Sequence, residues 1–257
     1  MTVAIFDTAQ VGAVADAIRA KTGKAALMTI GEMPAEIASI SGSTITEKEV
    51  WLHCPDQLRG DEMVIDTGAK PAIDQTLEII GYGNLYSTSC LFSSVTSASS
   101  RQGIDLLTTS NRVRYVWGNS GLQTLTIDIT TLSAWMPMKI TLNQSGVIFD
   151  GYTSGYASSQ LTGDFAGATL TNHSTENYKI FGKIATSGEY APGVFRSAKI
   201  FDGTGDLIHH FVPILKSDWS LVLRDKVTGT EQALATGANG YEAFWQPYAD
   251  GMVGIVS

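Results

Sequence analysis

Charge and reactive side chains are what this 257-residue sequence has least of. Asp, Glu, Lys and Arg make up 16% of it, against about a quarter in an ordinary globular chain. Seventeen Lys and Arg stand against 25 Asp and Glu, for a net charge of −8. No basic cluster or stripe occurs, so nucleic-acid binding loses its electrostatic basis. An acidic surface is also repelled by anionic membranes. No apolar run nears the ~20 residues that span a bilayer. The opening Met1-Thr2-Val3-Ala4-Ile5-Phe6-Asp7 has no basic start and no sustained apolar stretch, so no signal peptide is expected. Cys54 and Cys90 are the only cysteines. A chain of this length needs no disulfide staple, and in a reducing cytoplasm both read as free thiols.

Motifs that carry chemistry are equally scarce. There is no G-x-S-x-G elbow, phosphate-binding loop, H-E-x-x-H or C-x-x-C. His209 and His210 are neighbours on an expected strand and point to opposite faces, so they do not chelate one ion together. His53-Cys54 fails as a nucleophile–base pair for the same reason. Sandwich glycosidases often present their two carboxylates as alternating acids on one strand, and no expected strand carries two acids at i and i+2 with aromatics around them. Asp202-Gly-Thr-Gly-Asp206 has the outline of a calcium loop but lacks further acidic ligands and reads as a hairpin turn. No catalytic residue, cofactor or metal site is expected, and the chain reads as a non-enzyme.

What is abundant is Thr (27), Ser (23) and Gly (26), in a chain that is 44% hydrophobic. This is a composition of strands and turns rather than solvated helices. Residues 1–42 differ from the rest. Val11, Val14, Ala15 and Ile18 fall on one helical face, with Asp7 or Thr8 as cap and Gly23 as stop. A second short helix starts either at Thr29, with Glu32 closing a capping box, or near Met33, with Pro34 in its first turn. Ser39 to Ser43 is a polar linker, and residues 44–257 form the second expected domain.

From 44 onward short β-prone runs follow one another: 62–66, 75–80 (closed by Gly81-Tyr82-Gly83), 112–117, 122–129, 139–142, 147–149, 178–184, 194–201, 206–212, 219–224 and 232–234. Gln144-Ser145-Gly146 lies between the runs 139–142 and 147–149, and Asp150-Gly151 and Asp202-Gly203 read as hairpin turns. Such spacing predicts an antiparallel two-sheet sandwich. Trp117, in phase with Val113 and Tyr115, is expected in its core. Tyr241, Phe244, Trp245 and Tyr248 are expected to seal a sheet edge. Tyr152 and Tyr156 sit instead in a Gly/Ser loop that ends at Gln160. Aromatic rings on such a loop stack on sugar faces while Gln and Ser bond hydroxyls, so Tyr152, Tyr156 and Gln160 are candidate glycan-binding residues. The alternative is that the tyrosines pin the loop to the sandwich.

Two stretches resemble a known family. Val14-Ala-Asp-Ala-Ile-Arg-Ala-Lys-Thr-Gly23, followed by Met28 to Ile40, resembles an N-terminal helical element of tailed-bacteriophage and prophage structural proteins. Val64 to Gly68, Lys179 to Gly182, Ala198 to Gly203 with Leu207 to Pro213, Asp225 to Gly229, and Thr236 to Gly240 with Phe244 resemble the laminin-G-like (concanavalin-like) sandwich of phage minor structural and tail proteins. The chain departs from that pattern at Leu223-Arg224 and at Glu231-Gln232. The resemblance implies a mainly β, jelly-roll sandwich behind a short helical segment, in a virion protein. It further implies a tail-fibre or receptor-binding role toward a host surface carbohydrate. Residues 1–42 would then bind other virion proteins in a homo-oligomer, with a trimer favoured. A purely structural decoration of capsid or tail is the alternative, and a glycan-degrading enzyme the third reading.

Overall fold

The computed structural model describes residues 15, 16, 18, 47–54, 64–83, 88–107, 112–126, 138–152, 158–182, 193–235, 240–248 and 251–256. The chain divides into two compact units, one of 1–48 with 215–220 and one of 49–214 with 221–257. In the first, Ala15, Asp16 and Ile18 are helical. Ala15 and Ile18 are buried and Asp16 is exposed, as the apolar spacing requires. Val11, Val14 and the expected second helix lie outside the described residues. A tight turn in the same unit has Lys216 and Trp219 bonded to each other's segment (Trp219 N to Lys216 O, 3.0 Å) with Trp219 at φ 68°. Trp219 is therefore a turn residue and not the first of a strand.

The remaining regular structure among the described residues is strand: β1 (Lys48–Glu49), β2 (Trp51–His53), β3 (Ile65–Asp66), β4 (Thr76–Gly83), β5 (Thr88–Ser97), β6 (Ser100–Leu107), β7 (Arg112–Gly118), β8 (Gln123–Thr126), β9 (Met138–Asn143), β10 (Gly146–Tyr152), β11 (Ser158–Gly163), β12 (Lys179–Ile180), β13 (Gly193–Phe201), β14 (Leu207–Leu215), β15 (Leu221–Asp225), β16 (Glu231–Ala233), β17 (Glu242–Tyr248) and β18 (Gly251–Val256). The larger sheet runs β11-β10-β9-β4-β13-β14-β15-β16, and the smaller one β3-β12-β5-β6-β7-β8. In the larger sheet β2 also pairs with β13 and β17, and β17 with β18. The registered pairs are antiparallel. The two-sheet sandwich expected from turn spacing is thus the observed architecture.

Period-2 patterning places the core. On β4, Leu77 and Ile79 are fully buried while Thr76, Glu78 and Ile80 are partly exposed. On β7, Val113, Tyr115 and Trp117 are buried, and they share one face because alternate residues do. Phe92, stacked on Tyr178 at 5.0 Å, closes the middle of the sandwich. Three of the side chains taken inside bond to groups on neighbouring segments. Trp117 Nε1 donates to Ile73 O (2.9 Å), Gln102 Nε2 to Ala72 O (2.8 Å), and Tyr178 Oη to Gln75 Oε1 (3.1 Å).

Several boundaries differ from expectation, each for a physical reason. Gly81-Tyr82-Gly83 does not close β4 but continues it against β13. A Cβ at position 81 would stand 2.6 Å from the Val194 carbonyl oxygen, so the glycine serves close strand approach and not a turn. Asp150-Gly151 is likewise mid-strand, paired with Gln160 and Ser159, while the turn between the 139–142 and 147–149 runs is at Gln144-Ser145, as expected. The strand expected over 178–184 is short, because Phe181 at φ 57° turns the backbone after Ile180. Asp202-Gly203 does form the expected turn, with Asp202 N donating to Asp206 O at 2.9 Å.

Candidate functional site

A polar cleft of about 630 Å³ lies where the edge strands of the two sheets meet. β8, at the end of the smaller sheet, contributes Gln123, Thr124 and Leu125. The β9–β10 hairpin contributes Thr141, Asn143, Ser145 and Ile148, and β11 with the residue after it contributes Thr162 and Asp164. Register explains the convergence. Thr141, Ile148 and Thr162 are direct partners across three adjacent strands, so their side chains stand in a row on one face. Ile148 is 40% exposed, the one large apolar side chain of that row.

Tyr115 spans the gap from the smaller sheet. Its hydroxyl donates to the Asp164 carbonyl at 2.8 Å, and its ring meets Phe165 edge-on at 5.5 Å. Burial, with the Asp164 charge beside it, pushes the phenol pKa up, so the hydroxyl stays a donor. Gly163 is part of the same fit. A Cβ there would overlap the Tyr115 hydroxyl and stand 3.0 Å from Cζ.

The hydrogen bonds in the lining are unevenly used. Asn143 Oδ1 accepts from Ser145 N (2.8 Å), which shapes the turn, and Gln123 Nε2 donates to Ser120 O (3.0 Å). Asp164 Oδ1 accepts from Ala166 N at 2.8 Å. Among the described residues the hydroxyls of Thr124, Thr141, Ser145 and Thr162, and Asp164 Oδ2, have no hydrogen-bond partner. A row of hydroxyls and amides with open capacity, beside exposed Ile148 and partly exposed Leu125, can bind a polyhydroxylated ligand with an apolar face.

Of the residues singled out in the sequence, Gln160 lies exposed on β11, two residues from Thr162, and donates from Nε2 to Asp150 Oδ1 at 2.9 Å. Tyr152 ends β10, its backbone paired with Ser158, and its side chain is outside the described ones. Tyr156 lies outside the described residues. The cleft sits at the opposite end of the same hairpin, at Gly146 to Ile148 and Thr162 to Asp164. Its residues gave no sequence signal beyond ordinary strand and turn chemistry. Cys54 is a buried thiol, and the Cys90 side chain is outside the described ones.

The histidines belong to a separate cluster. His209 Nδ1 lies 2.7 Å from Asp225 Oδ2, and its ring stacks on Phe211 at 5.4 Å. Asp225, 3% exposed, also accepts from His210 N (2.9 Å), Val227 N (3.0 Å) and Thr228 Oγ1 (2.9 Å). Neither histidine is fully exposed and neither fully buried. With four donors on one carboxylate this is a clasp between β14 and the turn after β15. Among the described residues no three His, Cys, Asp or Glu side chains converge as metal ligands, and no helix is long and apolar enough to cross a membrane.

No protein-family model matches the sequence, and no curated protein matches it. Three solved structures illustrate what the fold is similar to. One is the enzymatically active domain of bacteriophage CBA120 tailspike protein 2, at 8% identity and TM-score 0.39, covering 64% of this chain and 30% of that one. Another is the LG1–3 region of the laminin α2 chain, at 8% identity and TM-score 0.40, covering 78% of this chain and 52% of that one. The third is the Ruminococcus gnavus IT-sialidase CBM40, at 12% identity and TM-score 0.37, covering 65% of this chain and 95% of that one. The chain therefore spans well under two thirds of the tailspike and laminin chains. With TM-scores below 0.5, these likenesses assign neither family nor activity.

Proposed function

We propose that the sandwich is a glycan-binding module and that the cleft at the β8/β11 edge is where it binds. The observation that carries this reading is the set of hydroxyl and amide groups with open hydrogen-bonding capacity, gathered around Ile148 and Leu125 in a cleft of about 630 Å³. Sugars offer the complementary pattern of hydroxyls on a ring with an apolar C–H face. The same lining favours recognition over hydrolysis. Glycoside cleavage uses two carboxyl groups about 5–10 Å apart, and Asp164 is the one carboxylate lining the cleft among the described residues.

The sequence resemblance supports placing this module on a tailed-phage particle as a receptor-binding or tail-fibre component. In that setting residues 1–42 dock onto other virion proteins and onto copies of the chain. The test of the binding reading is an oligosaccharide array followed by calorimetry on the best binder. Thr162→Arg, which fills the cleft from an exposed strand position, is expected to lower affinity at least about tenfold, a loss of ~1.4 kcal/mol. Tyr152→Ala, on the far end of the hairpin, is expected to leave it within a factor of two or so. The converse pattern would move the site to the hairpin tip, and no binding to any sugar would reject the reading.

A further inference from the structure

We infer that the cleft accepts an uncharged sugar residue and turns away sugars that carry a carboxylate, sulfate or phosphate. This rests on the glycan-binding reading above and names the ligand class of that site. The lining contains no Lys, Arg or His among the described residues, and its single charged group is Asp164. Oδ1 of that carboxylate is occupied by Ala166 N at 2.8 Å, while Oδ2 has no partner among the described residues and the residue is exposed. Asp164 therefore presents one open acceptor to an occupant of the cleft. A sugar hydroxyl donates to it in a charge-assisted hydrogen bond, stronger than one between neutral groups. A uronate or sulfate meets it as a like charge.

The cations nearest the lining among the described residues stand outside it: Arg114 is the cross-strand partner of Thr124, and two lysines are paired with Glu78. Lys139, two residues before Thr141 on β9, has its Nζ 3.4 Å from Glu78 Oε1, and Lys199 lies 3.7 Å from the other oxygen of the same carboxylate. The donors left for an anionic sugar are the uncharged hydroxyls of the threonines and Ser145 and one N–H of the Asn143 amide, whose Nδ2 also donates to Thr76 Oγ1 at 3.5 Å. None has the fork geometry or charge with which arginine holds a carboxylate or sulfate. The net charge of −8 adds repulsion of the same sign at low salt.

The expected discrimination follows from the local pair. Two like charges 4 Å apart in water repel by ~1 kcal/mol, which is about fivefold in affinity. The experiment is calorimetry with the full chain, on matched oligosaccharides that differ only in whether one ring is a hexose or the corresponding hexuronate, at low and at high salt. The neutral member is expected to bind at least about fivefold tighter at low salt, with the gap narrowing as salt screens the pair. Asp164→Asn keeps the acceptor for Ala166 N and removes the charge. It is expected to narrow the gap further while neutral binding persists. Equal or tighter binding of the uronate, or a gap unchanged in Asp164→Asn, overturns the inference and leaves the binding reading standing. Absence of binding by every member of both series rejects the binding reading itself.

Discussion

Gly163 and Tyr115 offer the sharpest test of the cleft's construction. In Gly163→Ala the new Cβ would overlap the Tyr115 hydroxyl, and the next ring atoms, Cζ and Cε1, stand at 3.0 and 3.3 Å. The ring has little room to yield, because Tyr115 is 3% exposed and held edge-on against Phe165. Overpacking of this kind costs ~1–3 kcal/mol. Displacing the hydroxyl from Asp164 O costs about another 1, and Ala returns ~0.4–1 through a stiffer unfolded chain. The net expectation is a loss of ~2 kcal/mol in urea unfolding. Tyr115→Phe alone removes the hydrogen bond and the nearest atom, for about 1 kcal/mol. In the double variant the worst overlap is gone, so the two costs should fall short of their sum by at least ~0.5 kcal/mol, beyond the scatter expected of independent sites. Strict additivity, or a neutral Gly163→Ala, would refute the packing account of the cleft floor.

The remaining expectations concern pH. Burial raises the pKa of Asp225, but the bonds from His209, His210 N, Val227 N and Thr228 outweigh it and leave the carboxyl below its ordinary value of 3.8. Burial, with Lys199 and Lys226 nearby, holds His210 below its ordinary 6.5. In both windows the unfolded chain binds more protons, so stability rises with pH there. Acidification should therefore lower stability first as pH falls below about 6.5 and again as it falls below about 3.8, and His210→Gln should flatten the first step in pH-dependent unfolding. A first step that survives this substitution would assign it to another group. Asp225→Ala strands four donors and is expected to cost ~3–5 kcal/mol in the same assay, whereas a cost under about 1 would mean that water replaces the clasp freely.

The sandwich was legible wherever alternation was clean. Val113, Tyr115 and Trp117 read as one buried face and are one, and β9, β13 and β15 surface within a few residues of their expected bounds. The hidden strands had no such signal. β5 and β6 pair in the middle of the smaller sheet. Yet β5 is serine-rich, and Ser93 and Ser94 are both buried, so hydrophobic periodicity passes over it. Glycines misled in the other direction. Gly81 and Gly151 read as turns, but they sit inside paired strands.

The cleft was less legible still. Tyr115, Asn143 and Thr162 come from three separate stretches, each unremarkable alone, and register with sheet closure brings them together. Aromatics in a Gly/Ser loop, such as Tyr152 and Tyr156, carry a conspicuous local sign in a sequence. A row of threonines across three strands has no local sign at all. The Asp225 clasp was concealed in the same way, since its histidines contact it only through the pairing of β14 with β15.

The most direct test of the central claim is chemical-shift mapping of the full chain with the best-binding neutral oligosaccharide. The account predicts saturable shifts clustered at Asn143, Ser145, Ile148, Thr162 and Asp164 and weak ones at Asp225. Shifts centred on the 152–160 end of the hairpin, with the cleft unmoved, would contradict it.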